Sequence, residues 1–235
     1  MPPEPRLRRI LLGLDAVGPS PAAITFAVEL AVRFEAELET MLLIQAELGR
    51  AAALPFATEI SLLAGLERRL SAPLMRRSLQ SLTERVRATM AQLAGSAQVR
   101  WSLQSAAWSD WEGLLAQPME GRLFVLGHAG DHVPVYQRAH PAAEPGVCVV
   151  YDESPSGRAA LDIALALDPE PARLPVTTAG MTGEASREPG VDRLAGCLTR
   201  LRPQTLILPA VWYAARAAAL KPVLKRSECN LLLVG

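Results

Sequence analysis

Two aspartates could do chemistry because of where they stand in the chain. Asp15 and Asp152 each follow a short apolar run, and each precedes a Ser-Pro pair, Ser20-Pro21 in one case and Ser154-Pro155 in the other. Open α/β sheets place ligands at the carboxyl ends of their strands, so both carboxylates are candidate ligand contacts. A short acid at such a position also accepts hydrogen bonds from its own turn, and the sequence leaves both interpretations open.

The elements that must position Asp15 follow an alternating strand and helix pattern. The continuous apolar run Ile10–Leu14 predicts a strand that is covered on both faces. Ser20 suits an N-cap and Pro21 suits a first helical position, so a helix is expected next. Further strands are expected at 38–44, 98–104 and 123–126, with a helix at 74–93 that ends at Gly95. This order predicts a parallel sheet with right-handed crossovers.

The second half repeats the pattern in shortened form. Val147–Tyr151 predicts a strand, and Ser154 predicts an N-cap, as Ser20 does in the first half. Later strands are expected at 174–178, 205–208 and 230–234, and helices at 191–201 and 214–225. Prolines interrupt the segment between the halves. We therefore predict two tandem α/β halves, residues 1–130 and 147–235, joined by a linker at 131–146.

The composition argues against several classes of partner. Lys and Arg total 24, as do Asp and Glu, so no net charge draws the chain to nucleic acid or to an anionic membrane. No run of about 18 apolar residues predicts a membrane span, and the N-terminus lacks a signal-peptide layout. Cys148, Cys197 and Cys229 are scattered and odd in number, which fits a reducing cytoplasm. We expect a cytoplasmic protein that binds neither nucleic acid nor membrane.

Three segments resemble the universal stress protein family. Arg9–Asp15 and Cys148–Leu161 are similar to the start of a domain of that family, and Leu220–Val234 is similar to its last helix and strand, with Asn230 where the family has proline. The resemblance covers nearly the whole chain as two tandem copies. It implies an α/β fold of two UspA-like (adenine-nucleotide alpha-hydrolase-like) halves, with mostly parallel sheets flanked by helices.

The resemblance also implies where a nucleotide would bind. Family members that bind nucleotides have an Asp after the first strand and a Gly-x-x-Gly turn after the fourth, which Asp15, Gly127 and Gly130 match. A Gly-Ser or Gly-Thr pair should follow nine residues later, where this chain has His140-Pro141. In the second half, Trp212 and its neighbour Tyr213 stand where glycines are expected. The resemblance therefore predicts a degraded site, with ATP or AMP binding through the first half as the alternative.

All three histidines fall in one segment beside the predicted strand end. His128, His132 and His140, with Asp131 between them, could ligate zinc, or could belong to a solvated loop. No nucleophile elbow or Walker loop is present in the sequence, so no catalytic residue is expected. We predict a non-enzymatic stress-response or regulatory protein that acts through protein association, as a homodimer or with another protein. Its C-terminal strand, Asn230–Val234, is expected at a sheet edge or a dimer contact.

Overall fold

The computed structural model describes residues 7–16, 20–45, 50–52, 54, 56–60, 65, 67–108, 122–126, 146–176, 189–224, 227 and 229–235. The strands in these ranges are β1 (Arg9–Asp15), β2 (Glu37–Gln45), β3 (Thr58–Ile60), β4 (Glu67–Arg69), β5 (Trp101–Trp108), β6 (Arg122–Leu126), β7 (Val147–Tyr151), β8 (Ala172–Pro175), β9 (Thr205–Pro209) and β10 (Asn230–Val234). The helices are α1 (Pro21–Arg33), α2 (Ala72–Ser96), α3 (Pro155–Leu167), α4 (Pro189–Leu201), α5 (Ala210–Ala214) and α6 (Ala217–Leu224).

Eight of these strands form one sheet in the order β5-β2-β1-β6-β10-β9-β7-β8. Every neighbouring pair in it is parallel except β6 and β10, which pair antiparallel. The four strands of the first half therefore run in one direction and the four strands of the second half in the other. The predicted α/β class with a mostly parallel sheet is confirmed, while the predicted linker lies almost wholly outside the described residues.

The position of β10 differs from the prediction that it forms a sheet edge. Its residues pair with β9 on one side and with β6 on the other, so the edge prediction is wrong. The apolar run Leu231–Val234 is fully buried, which is what a strand covered on both faces and along both sides requires. The edges of the sheet are β5 and β8.

Helices cover both faces of the sheet. One apolar cluster joins α1, α2 and α3 to one face, and includes Ile10, Leu12 and Leu232. A second cluster joins α4, α5 and α6 to the opposite face, and includes Leu11 and Leu233. Successive residues of a strand point to opposite faces, so each buried strand contributes to both clusters. Helices α1 and α3 come from different halves and share a face, where the Arg33 guanidinium donates to the Ala166 carbonyl.

The helix boundaries follow the expected signals at their starts but not at every end. Ser20 Oγ accepts from the Ala23 amide at 3.3 Å, and Ser154 Oγ accepts from the Gly157 amide at 3.0 Å, which confirms both N-caps. Helix α2 does not end at Gly95: it runs to Ser96, and Gln98 takes the left-handed conformation with φ of 56°. The helix expected at 214–225 is found as α6, which begins three residues later, and a separate short helix that was not expected, α5, precedes it.

No helix among those described has both the length and the apolar character that a membrane span requires.

Replacing Leu232 with Ala should destabilise both halves together. Leu232 is fully buried in β10, so its truncation should cost about 2–5 kcal/mol in urea denaturation. Native-state hydrogen exchange should show lost protection in β6 as well as β9, because β10 bonds to both. Val211→Ala, at a residue that is 70% exposed, is the control and should change stability by less than about 0.5 kcal/mol. Loss of protection in β9 alone would contradict the coupling.

Candidate functional site

The carboxylate of Asp152 closes its own turn at the end of β7. Its Oδ1 accepts from the Ser154 amide at 3.1 Å and also from the Ser154 hydroxyl. The same hydroxyl accepts from the Gly157 amide and thereby caps α3. Asp152 is one of only three buried polar or charged residues among those described. The expectation that this acid hydrogen-bonds its own turn is confirmed by this geometry.

Helix α3 begins in direct contact with this turn. A Cβ atom on Gly157 would lie 2.0 Å from Asp152 Oδ1 and 2.6 Å from the Asp152 carbonyl oxygen. The second of these is a backbone atom that cannot rotate away, so only glycine fits here. The first turn of α3 therefore fills the space in which a ligand could approach the acid from the helix side.

Two buried rings follow the neighbouring strand β9. Trp212 and Tyr213, in α5, are 3% and 5% exposed. The Arg216 guanidinium lies 5.1 Å from the centre of the Trp212 ring, and a Cβ on Gly190 would be 3.5 Å from the same indole. The indole of Trp212 thus packs between Gly190, at the start of α4, and Arg216, which follows α5. Bulky side chains, rather than exposed backbone amides, occupy this part of the second half.

In the first half, the topology places Asp15 and the end of β6 at one end of the sheet. Strands β1 and β6 are parallel neighbours, with Gly13 opposite Leu126, so Asp15 and Leu126 stand at the ends of adjacent strands. The Asp15 side chain lies outside the described part of the structure. The other residues assigned from the sequence also lie outside it: Gly127, His128, Gly130, Asp131, His132 and His140. The nucleotide and zinc hypotheses for this segment stay predictions.

The two aspartates cannot contribute to one site. Because β6 and β10 pair antiparallel, the carboxyl ends of the first-half strands lie opposite those of the second-half strands. Asp15 and Asp152 therefore stand at opposite ends of the sheet. Any ligand held by one is out of reach of the other.

A cleft that sequence analysis missed lies between α1 and α2, beside the end of β1. We call it the α1–α2 cleft; its volume is about 440 Å³. The lining residues are Ala16, Pro21, Ile24, Ser78, Leu79, Leu82, Arg85, Val86 and Thr89. The sequence marks Leu79, Leu82 and Val86 only as an apolar stripe for the core. Which part of such a stripe is left open depends on how two helices pack, and no local signal reports it.

The three cysteines are buried thiols. The Sγ atoms of Cys148 and Cys197 are 3.7 Å apart, and Cys229 is also buried. Burial, together with the nearby Cys197, raises the pKa of the Cys148 thiol far above its usual range, and burial also raises the pKa of the Cys229 thiol. The thiolate is the reactive form, so neither group is placed for nucleophilic catalysis. In the described ranges, no group of His, Cys, Asp or Glu side chains converges to hold a metal ion.

Gly157→Ala should destabilise the protein by about 1–3 kcal/mol, because the added methyl group overlaps the Asp152 backbone. Gly196→Ala is the matched control, since a Cβ there meets no atom within 4 Å. In the interior of α4 that change should stabilise by about 0.5–1 kcal/mol. Urea denaturation of the two variants measures both. Equal effects would show that the first turn of α3 is not in contact with Asp152.

The native thiols should resist alkylation by iodoacetamide at mildly alkaline pH, because burial keeps Cys148 and Cys229 protonated and shields all three from the reagent. Mass spectrometry should find little label on the folded protein. The same reaction in urea is the control and should label all three residues. Rapid labelling of Cys148 in the folded protein would contradict its burial.

Comparison with known proteins identifies the fold. No protein-family model matches the sequence. No curated protein matches it either. Among solved structures, a universal stress protein from Archaeoglobus fulgidus matches with a TM-score of 0.57 at 10% identity, over 97% of this chain and 96% of that one. A protein from the universal stress protein family from Burkholderia pseudomallei matches at 11% identity and 98% of both chains, with a TM-score of 0.31.

The archaeal match extends over nearly the full length of both chains. It agrees with the mostly parallel sheet and the flanking helices described above. This match confirms the fold that the sequence resemblance implied. This chain has the α/β fold of a universal stress protein.

Proposed function

We propose that this chain is a stress-response or regulatory protein that acts through association with protein rather than through catalysis. The fold that it shares with the universal stress protein from Archaeoglobus fulgidus supports the stress-response part. The engagement of the Asp152 carboxylate in its own turn supports the absence of a ligand role for that acid, and the exposed side chains of Phe56 and Ile60 support association. A reducing cytoplasm is the proposed location, which the three free, buried thiols support.

The Asp152 turn opposes a ligand at the end of β7. A sugar hydroxyl would have to compete for Oδ1 with two donors of Ser154. Displacing them would leave a half-buried amide without its partner, at a cost of about 1–3 kcal/mol, and would weaken the cap of α3. Buried Trp212 and Tyr213 leave no backbone cradle for phosphate after β9 in the described part of this half. We infer that the second half has lost its nucleotide site.

A second candidate is ATP or AMP binding in the first half alone. The parallel pairing of β1 with β6 supports it, because Asp15 ends the strand beside β6 and the sequence predicts the Gly127–Gly130 turn directly after β6. Backbone amides in a glycine turn can hold phosphate oxygens. Zinc binding by the 128–140 segment is a third possibility that the same experiment addresses.

Thermal denaturation with millimolar ATP, AMP or zinc tests the proposal. A ligand that binds only the folded state at 100 times its Kd adds about 2.7 kcal/mol of stability, which raises Tm measurably. We expect no rise in Tm with any of the three. Association should instead be visible as a mass above that of one chain in light scattering.

Two variants locate any nucleotide that does bind. If ATP raises Tm and Asp15→Ala removes the rise, the first-half site is supported and the proposed loss of nucleotide binding is wrong for that half. Asp152→Asn is the matched change in the second half and should leave the response to ATP unaltered. A rise that only Asp152→Asn removes would overturn the structural role of Asp152. A zinc-dependent rise that is lost in His128→Ala would favour the metal hypothesis.

A further inference from the structure

Exposed apolar side chains concentrate in one short stretch of the chain. Seven large apolar residues are exposed in the described part of the structure, and four of them, Leu54, Phe56, Ile60 and Leu74, fall between positions 54 and 74. Phe56 is 77% exposed and Ile60 is 68% exposed. Apolar groups grouped at a surface in this way mark a contact surface.

Most of this stretch is a small hairpin, which we call the arm: described residues 54, 56–60, 65 and 67–70. Strands β3 and β4 pair only with each other, and the Leu70 amide donates to the Ala57 carbonyl at 2.9 Å. A two-stranded ribbon is marginally stable alone in water. Packing against another surface would stabilise the arm and cover its apolar residues.

The lining of the α1–α2 cleft is complementary to the arm in polarity and charge. Its lining includes Ile24, Leu79, Leu82 and Val86, which supply an apolar surface, and Arg85, which supplies a positive charge. Its volume of about 440 Å³ is within the range of ~300–1,000 Å³ typical of pockets that take apolar groups. The cleft can therefore receive large apolar side chains that carry a carboxylate beside them.

The arm presents that combination. Ile60 stands directly opposite Glu67 in the antiparallel pair, so the two side chains share one face of the hairpin. We propose that the arm of one protomer inserts into the α1–α2 cleft of a second copy of this chain, with Ile60 on the apolar lining and Glu67 paired with Arg85. This inference names the partner in the association proposed above and rests on that proposal.

The placement of arm and cleft favours a second copy as the occupant. The arm follows the end of β2, and the cleft includes Ala16, whose amide donates to Leu43 near that same end. Because the arm precedes α2 in the chain and α2 lines the cleft, we infer that the two features are neighbours on a protomer, and a twofold axis would then make both contacts at once. The C-terminal strand β10 is not free for such a role, since β6 and β9 pair with both of its sides.

Light scattering over a range of protein concentrations tests the contact. The full-length protein should approach twice the mass of one chain, whereas Phe56→Ser combined with Ile60→Ser should stay at the mass of one chain. Val211→Ser, at an exposed residue outside the arm and the cleft, is the control and should dimerise as the original protein does. Three results would overturn the proposal that each arm inserts into the partner's cleft. They are a strictly monomeric original protein, a dimer that survives the double change, and a mass that keeps growing with concentration.

A charge reversal tests the pairing of Glu67 with Arg85. Glu67→Arg and Arg85→Glu should each weaken dimerisation by about tenfold or more, because each places like charges together. The variant that carries both changes should recover an affinity within about threefold of the original, because the pair is restored with its signs exchanged. If the combined variant does not recover its affinity for dimerisation, the proposed pairing of Glu67 with Arg85 is wrong.

The two proposals can fail separately. ATP that raises the Tm of both the original protein and the arm variant would contradict the proposed function while leaving the arm contact intact. A protein that binds no nucleotide and associates, but whose association survives Phe56→Ser combined with Ile60→Ser, would overturn the arm contact alone. Circular dichroism of each variant should match the original, because the substituted side chains are exposed.

Discussion

The antiparallel pairing of β10 with β6 is the interaction on which the rest of the structure depends. It joins two four-stranded parallel sheets into one sheet of eight strands. It also places Leu232 in one apolar cluster and Leu233 in the other, so a single strand connects the packing on both faces. The contact between Arg33 and Ala166 then links helices of different halves across a continuous surface. Without this pairing, β6 and β10 would each expose an unpaired strand edge.

The same pairing determines what the strand ends can do. The carboxyl ends of the first-half strands and those of the second-half strands lie at opposite ends of the sheet. A ligand site in either half therefore needs a complete set of contacts from that half. The second half uses its acid to close a turn and fills the end of β9 with aromatic rings. In the first half, β1 and β6 end side by side, and the sequence predicts after β6 the glycine turn on which a ligand site can be proposed.

Much of this fold could be predicted from local sequence, because buried strands and helix caps have local causes. The runs that begin at Ile10 and Val147 and the caps at Ser20 and Ser154 are found where the residues place them. The central position of β10 could not be predicted, since an apolar run shows that a strand is buried but not which strands lie beside it. The cleft and the contact of Gly157 with Asp152 arise from packing between elements, which no local pattern reports.

The chain order of the sheet also has a consequence for biosynthesis. The strand that completes the centre follows the other described strands in the chain, and Leu231 pairs with Leu126 at a separation on the order of one hundred residues. During translation, one side of β6 therefore stays unpaired until β10 has been synthesised. The pairing of β10 with β6 is then slow, because it has to close a long loop. That interval is when an unpaired edge invites pairing with another chain. The structure makes the late arrival of β10 the condition for a protected edge on β6.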